Sequence, residues 1–230
     1  MNFEKFEERA GVIFKDKSLL KQAFTHRSYI NENRESKLEH NERLEFLGDA
    51  VLELVITDFL YQRLKDSTEG ELTSLRSALV NADTCALVAQ TLGVNDFLLL
   101  SKGEAKDTTG RARQYILANT LEALIGAIYM DQDYNAAKEF ILTNFTPLAE
   151  QIMKDKRWID AKSLLQEKIQ EEVGVTPSYK TLRESGPDHD KHFVVGVYAG
   201  QVQYGEGEGK SKQDAEQSAA RQALEARGWE

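Results

Sequence analysis

The segment spanning residues 40–60, HNERLEFLGDAVLELVITDFL, constrains the fold more than any other part of the chain. It is long, rich in Leu and Val at helical spacing, and interrupted by nothing stronger than Gly48, so it predicts a buried helix over residues 43–63. Three carboxylates sit inside its first part, residues 40–52. Glu42, Glu45 and Asp49 fall at i, i+3 and i+7 and therefore share one helix face, with the Cβ atoms of Glu45 and Asp49 about 6 Å apart. Two carboxylates that close repel each other and resist burial unless something cationic compensates. No Lys or Arg of the same turn lies on that face, and a hard divalent cation with oxygen ligands is the natural compensation. For Glu42 taken alone the plainer reading is preferred: an edge acid paired with Arg43, Arg76 or His40.

A second apolar helix is predicted over residues 111–130, where QYILANTLEALIGAIY is hydrophobic nearly all round. Asn119 and Glu122 are three apart and share a face. The small residues Ala118, Ala123, Gly126 and Ala127 would let another helix approach closely. If the two helices pack together, Glu45, Asp49, Asn119 and Glu122 converge as four oxygen-bearing side chains. Further helices are expected over residues 3–10, 17–24, 71–92 and 134–154, with polar connections at 25–40 and 102–110. Thr68-x-x-Glu71 has the spacing of a capping box opening a helix over 72–81, which makes Glu69 an ordinary first-turn acid.

The run from His40 to Leu52 resembles the signature of bacterial ribonuclease III. Residues 117–127, LANTLEALIGA, resemble the second acidic motif of that family, and Thr25-His26-Arg27-Ser28 and Ser67-Thr68-Glu69-Gly70-Glu71-Leu72 match it in position and type. The likeness runs in order through essentially the whole chain. It implies that Glu45, Asp49 and Glu122 are metal-linked acids, with Asp49 and Glu122 catalytic. Glu42 and Glu69 would be auxiliary acids, and the cofactor Mg²⁺, with Mn²⁺ as a substitute. The family has Asp where this chain has Asn119. An amide oxygen still ligates Mg²⁺ but brings no charge, so the resemblance implies a chain impaired in cleavage. A change made to let a nuclease hold its substrate uncut is the preferred account; drift toward a non-cleaving duplex-RNA-binding protein is the alternative. The resemblance further implies 5′-phosphate products with two-nucleotide 3′ overhangs, processing of ribosomal and messenger precursors, and a homodimer that supplies the second site for a staggered cut. Phe46, off the Leu44/Leu47/Val51 stripe, is a candidate dimer residue or else core.

Residues 161–230 change character. An amphipathic helix over 161–173 is followed by strands expected at 179–184, 192–198 and 201–205 and by an alanine-rich helix at 211–227. This α-β-β-β-α order resembles a double-stranded-RNA-binding domain, so the fold class is mainly α with a small α/β module. A helical domain over 1–154 and a linker over 155–160 precede it. Lys210 and Lys212 flank the start of the last helix, where cations are unfavourable unless they meet an anion. Ser211 and Asp214 form a capping-box-like start. By resemblance Gln166, Glu167 and Gln170 would face the minor groove of an RNA duplex, His189 would reach the next one, and Lys210, Ser211 and Lys212 would meet phosphate. Gln213 stands where the family commonly has Lys.

Composition sharpens these expectations. The net charge of −9 divides into −6 over residues 1–156 and −3 over 157–230, so neither part is basic overall. Binding to duplex RNA would rest on local basic clusters and on divalent ions, with strong salt dependence. The single cysteine, Cys85, excludes an internal disulfide and a cysteine-based zinc site, and is expected inside a helix. No apolar run is long enough to span a membrane, and the acidic first residues are unlike a signal peptide; a cytoplasmic protein is the expectation.

Overall fold

The computed structural model describes residues 3–155, 160–187 and 191–229. It divides into two compact units, Met1–Trp158 and Ile159–Glu230. In the first unit the described elements are α1 (Glu4–Ala10), α2 (Lys17–Ala23), α3 (Arg27–Glu32), α4 (Glu42–Arg63), α5 (Glu69–Val80), α6 (Ala82–Thr91), a 3-10 turn (Val94–Phe97), α7 (Lys102–Lys106), α8 (Arg111–Asp131) and α9 (Tyr134–Asp155).

The core is built around α8, which buries residues on every side: Ile116, Leu117, Leu121, Leu124, Ile125 and Ile128 are all at most 9% exposed. It packs chiefly on α4 and α6. The buried stripe of α4 is Leu44, Gly48, Val51, Leu52, Val55, Ile56 and Leu60, the spacing of one helical face. Full burial of each such Leu, Ile or Val stabilises the fold by about 1.5–3 kcal/mol relative to exposure. Phe3, Phe6, Phe24 and Phe97 close one end of the core as an aromatic cluster, with Phe6 edge-on to Phe24 at 4.8 Å.

α4 and α8 approach closely because glycine faces glycine. A Cβ on Gly48 would lie 1.7 Å from the Glu122 carbonyl oxygen, and one on Gly126 would lie 2.2 Å from the Leu44 carbonyl oxygen. Gly48 is therefore a contact surface, beyond the tolerable weak point in a helix that its sequence context suggests.

Local chemistry departs from the sequence reading in four places. The expected helix over 71–92 is two helices, because Asn81 turns out at ψ 162° and its side chain accepts the Thr84 N–H at 2.9 Å to cap α6. The capping box at Thr68 and Glu71 is present in both directions, but the helix it opens begins at Glu69. Short helices α3 and α7 occupy the two segments expected to be connections, each started by its own cap, His26 and Ser101.

The second unit contains α10 (Ala161–Val173), β1 (Ser178–Ser185), β2 (His192–Ala199), β3 (Val202–Gly209) and α11 (Lys212–Arg227). The strands form one antiparallel sheet in the order β1-β2-β3, with a bulge at Leu182 and another at Tyr204. β3 runs four residues beyond the expected 201–205. Gly205, Gly207 and Gly209 alternate on the strand face under α11, where added Cβ atoms would meet the α11 backbone at 2.6, 2.1 and 2.5 Å. This glycine-rich stretch is a strand whose missing side chains seat an alanine-rich helix. Ala215, Ala219, Ala220 and Ala223 of that helix are fully buried.

Candidate functional site

The Gly48–Gly126 crossing places Asp49, one residue on from Gly48, beside Glu122, whose own carbonyl meets Gly48. Glu45 and Glu122 are partly buried, Asn119 is partly buried, and Asp49 and Glu42 are exposed. The electrostatics register their convergence. The Glu122 carboxyl is pushed up to about 8, first by burial and then by the charges of Asp49 and Glu45. Glu45 is raised as well, by burial and by its neighbours Glu42 and Asp49. The Cys85 thiol, fully buried on α6, is raised by burial and then by Glu122 and Asp49, which sets it close to the same acids. Glu45, Asp49 and Glu122 are thus three mutually repelling carboxylates drawn from two helices.

Among the described residues no group of three His, Cys, Asp or Glu side chains closes into a ready cage for an ion. An open, oxygen-only donor set suits Mg²⁺, which is bound by one or two carboxylates together with water and substrate phosphate oxygens. A cation placed among these acids would relieve the repulsion that, together with burial, raises Glu122. The residues fit such an ion.

Glu42 stands beside this group with partners of its own. Arg27 Nη1 lies 3.2 Å from its carboxylate and His40 Nδ1 3.8 Å, so Arg27 replaces the expected Arg43 and Arg76. Arg76 instead donates to Thr57 Oγ1 at 3.4 Å. Glu69 is exposed in the first turn of α5, accepts a hydrogen bond from Thr73 at 3.2 Å, and shares a shallow groove with Thr57, Tyr61 and Arg76. No contact joins Glu69 to the three-acid group among the described residues. The Thr25–Ser28 tetrad is a junction. Thr25 O accepts from Asn41 N, Ser28 Oγ accepts from Ser101 N, and Arg27 pairs with Glu42. From α8, Arg113, 5% exposed, reaches back to the carbonyls of Glu104 and Asp107. The starts of α4 and α8 are thereby tied to one frame. A buried Arg and a helix-capping His are indistinguishable from solvated ones in sequence, and only the tetrad's match to a family marked the region.

In the second unit Gln166, Glu167 and Gln170 are exposed on one face of α10 and line a shallow groove with Ser163 and Glu171. Gln170 donates to Thr176 Oγ1 at 3.3 Å. Lys210 and Lys212 are exposed at the start of α11, with the Lys212 ammonium 5.8 Å from the Phe193 ring centroid. Ser211 caps α11 by accepting the Asp214 N–H at 3.1 Å, while its hydroxyl donates to the Asp214 carboxylate at 2.7 Å. Asp214 therefore returns to the cap's hydroxyl rather than to its backbone N–H, which corrects the capping-box expectation. His189 lies outside the described residues. Phe46 is 81% exposed, which removes the core alternative.

An all-helical unit bearing paired acids on crossing helices, followed by an α-β-β-β-α unit, is the arrangement of a ribonuclease-III-like domain with a double-stranded-RNA-binding motif. Family models of those two descriptions match residues 16–148 and 161–226. The chain is 48% identical to Ribonuclease 3 of Protochlamydia amoebophila over 95% of its own length and 89% of that protein's. It is 44% identical to Ribonuclease 3 of Enterococcus faecalis over 95% and 94%. The crystal structure of the nuclease domain of ribonuclease III from Campylobacter jejuni matches 63% of this chain and 96% of that one at 42% identity, with a TM-score of 0.55. The chain belongs to the ribonuclease III family.

Proposed function

We propose that this chain is an endoribonuclease acting on double-stranded RNA with Mg²⁺, and that Asn119 weakens its cleavage. The observation that carries the reading is the convergence of Glu45, Asp49 and Glu122, with a Glu122 carboxyl whose proton affinity is raised first by burial and then by the charges of Asp49 and Glu45. A bound divalent cation would lower the pKa of a water and stabilise the charge that develops at phosphorus during in-line displacement. Glu45, Asp49, Asn119 and Glu122 would hold it. The three carboxylates supply the negative charge and fix the ion's position against α4 and α8. Water attacks phosphorus, the bond to the 3′ oxygen breaks, and the products carry a 5′-phosphate and a 3′-hydroxyl. At Asn119 an amide occupies one corner of this set. It keeps the size and the oxygen of Asp but lacks its charge, so ion affinity and the placement of the attacking water suffer while the fold does not.

The RNA-binding face of the second unit is assigned to Gln166, Glu167 and Gln170 on α10 and to Lys210, Ser211 and Lys212 at α11, with His189 as the third element. The first unit is assigned as a homodimer. Phe46 projects from α4 into a groove of about 560 Å³ lined by the apolar Leu19, Leu44, Leu47 and Met130 and by the polar Gln22, Glu39, His40, Glu42 and Arg43. An exposed aromatic in a partly apolar groove on one surface is the self-complementary pattern of a two-fold interface. The Campylobacter jejuni nuclease domain is itself described as having a region involved in dimer formation. The duplex products, two-nucleotide 3′ overhangs, a role in ribosomal and messenger precursor processing, and a cytoplasmic location follow from the same family reading. No helix among the described residues is long and apolar enough to cross a membrane.

A non-cleaving duplex-RNA-binding protein is the second reading, favoured by Asn119 alone. A labelled RNA hairpin with Mg²⁺, given to this chain and to its Asn119→Asp variant and scored for cleavage and for retention on a native gel, separates the two. Cutting by the variant with retention by both supports the nuclease. Retention by both with cutting by neither overturns it.

A further inference from the structure

The first unit carries a net charge of −6 over residues 1–156, yet the proposed substrate is a polyanion. Its basic side chains near carboxylates are already spoken for: Arg9 by Asp96, Lys17 by Glu7, Arg27 by Glu42, Arg63 by Glu150 and Lys138 by Asp58. Arg113 is buried on backbone carbonyls. Several exposed cations, among them Arg34, Lys37, Arg43, Lys65 and Arg111, have no carboxylate partner among the described residues. Arg111 alone of these five has an aromatic ring beside it. Its guanidinium sits 5.8 Å from the centroid of the Tyr115 ring, which is itself 46% exposed.

The position of this pair is what gives it meaning. At 100° per residue, Arg111, Tyr115, Asn119 and Glu122 fall within about 80° of one another around α8, so they form a single line on one face. Tyr115 lies about 6 Å along the axis from Asn119, and Arg111 about 16 Å from Glu122. A strand whose phosphate is held at the acids would run over the same face.

We propose that Arg111 and Tyr115 are a substrate-contact pair of this site, with Arg111 meeting a phosphate a few nucleotides from the scissile one and Tyr115 lying against the intervening ribose. The ring holds the guanidinium fork in place, and the fork suits phosphate oxygens better than an ammonium does. The pair rests on the assignment of the acids as the cleavage site, and it adds a cationic element that the acidic group itself lacks.

The test measures binding of a blunt RNA duplex by the full chain across a salt series, with Arg111→Ala, Arg111→Lys and Tyr115→Ala beside the parent. Both side chains are exposed, so the variants keep the fold, and unchanged thermal midpoints verify it. The expected result is a salt slope reduced by about one in Arg111→Ala, mostly restored in Arg111→Lys. On the Asn119→Asp background, Arg111→Ala should raise KM several-fold while kcat and the Mg²⁺ concentration for half-maximal rate stay within twofold. A parent that binds, with Arg111→Ala matching it in slope and KM, overturns the pair alone. A parent and an Asn119→Asp variant that neither bind nor cut duplex RNA bring down the cleavage assignment and the pair with it.

Discussion

The two units place their functional groups in opposite ways. In the first, the acids of α4 and α8 are brought together by backbone contact at Gly48 and Gly126, and Glu45 and Glu122 are partly buried where their charges oppose one another. In the second, glycines also allow close approach, at Gly205, Gly207 and Gly209 beneath α11. There they serve packing alone, and the groups assigned to RNA, Gln166, Glu167, Lys210 and Lys212, stand on the surface. Chemistry on a phosphodiester needs charges held in fixed places against their own repulsion, whereas recognition of A-form shape needs only a rigid frame bearing solvated side chains. Glycine substitutions should therefore damage function in the first unit and mainly stability in the second.

Removal of the acids gives the largest expected effect. On the Asn119→Asp background, Glu122→Gln should lower the single-turnover cleavage rate by about a thousandfold or more, while native-gel retention of duplex RNA changes less than threefold. Next come the glycine crossings. Gly48→Val drives a branched side chain into the Glu122 carbonyl and should cost about 3 kcal/mol or more, with cleavage lost alongside. Gly207→Val should cost a similar amount by denaturant titration while sparing cleavage of a substrate too short to need the second unit. Equal loss of cleavage in both would erase the distinction between the units.

Surface charge should matter less per residue. Lys210→Ala and Lys212→Ala are each expected to weaken duplex binding about threefold to tenfold at 0.15 M salt and to flatten the salt dependence by about one, read by filter binding. Neither should change the Mg²⁺ dependence of cleavage.

The smallest expected effect is on stability against pH. Glu122 in the folded chain ionises only near pH 8, while an unfolded Glu does so near 4.5. The unfolded state thus releases this proton first, and folding stability falls as pH rises from about 4.5 and levels off above about 8. Glu122→Gln should abolish that component. In chelator at pH 8 it should melt higher than the parent, with no gain at pH 4.5.

Much of this arrangement was legible in the residues. The apolar period of 43–63 and 111–130 marked the two buried helices, and the spacing of Glu45, Asp49, Asn119 and Glu122 marked one face on each. The small residues of α8 announced a close crossing, although its counterpart Gly48 was not visible as a contact because a glycine inside a helix carries no periodic signal. Segment 71–92 concealed a break, since Asn81 reads as an ordinary polar helix residue until its side chain is seen capping α6. β3 was cut short because strand patterns are recognised by side chains, and Gly205, Gly207 and Gly209 have none. Arg27 as the partner of Glu42 joins segments fifteen residues apart in sequence, a pairing that local spacing does not contain.

A divalent cation held by the three carboxylates at the α4–α8 crossing would bind without RNA. Calorimetric titration of Mg²⁺, and separately of Mn²⁺, into the full chain, its Asn119→Asp variant and its Glu122→Gln variant at pH 8 measures this directly. Saturable binding is expected, tighter in Asn119→Asp and lost in Glu122→Gln. The same heat in all three proteins, or none in Asn119→Asp, would rule the cation site out.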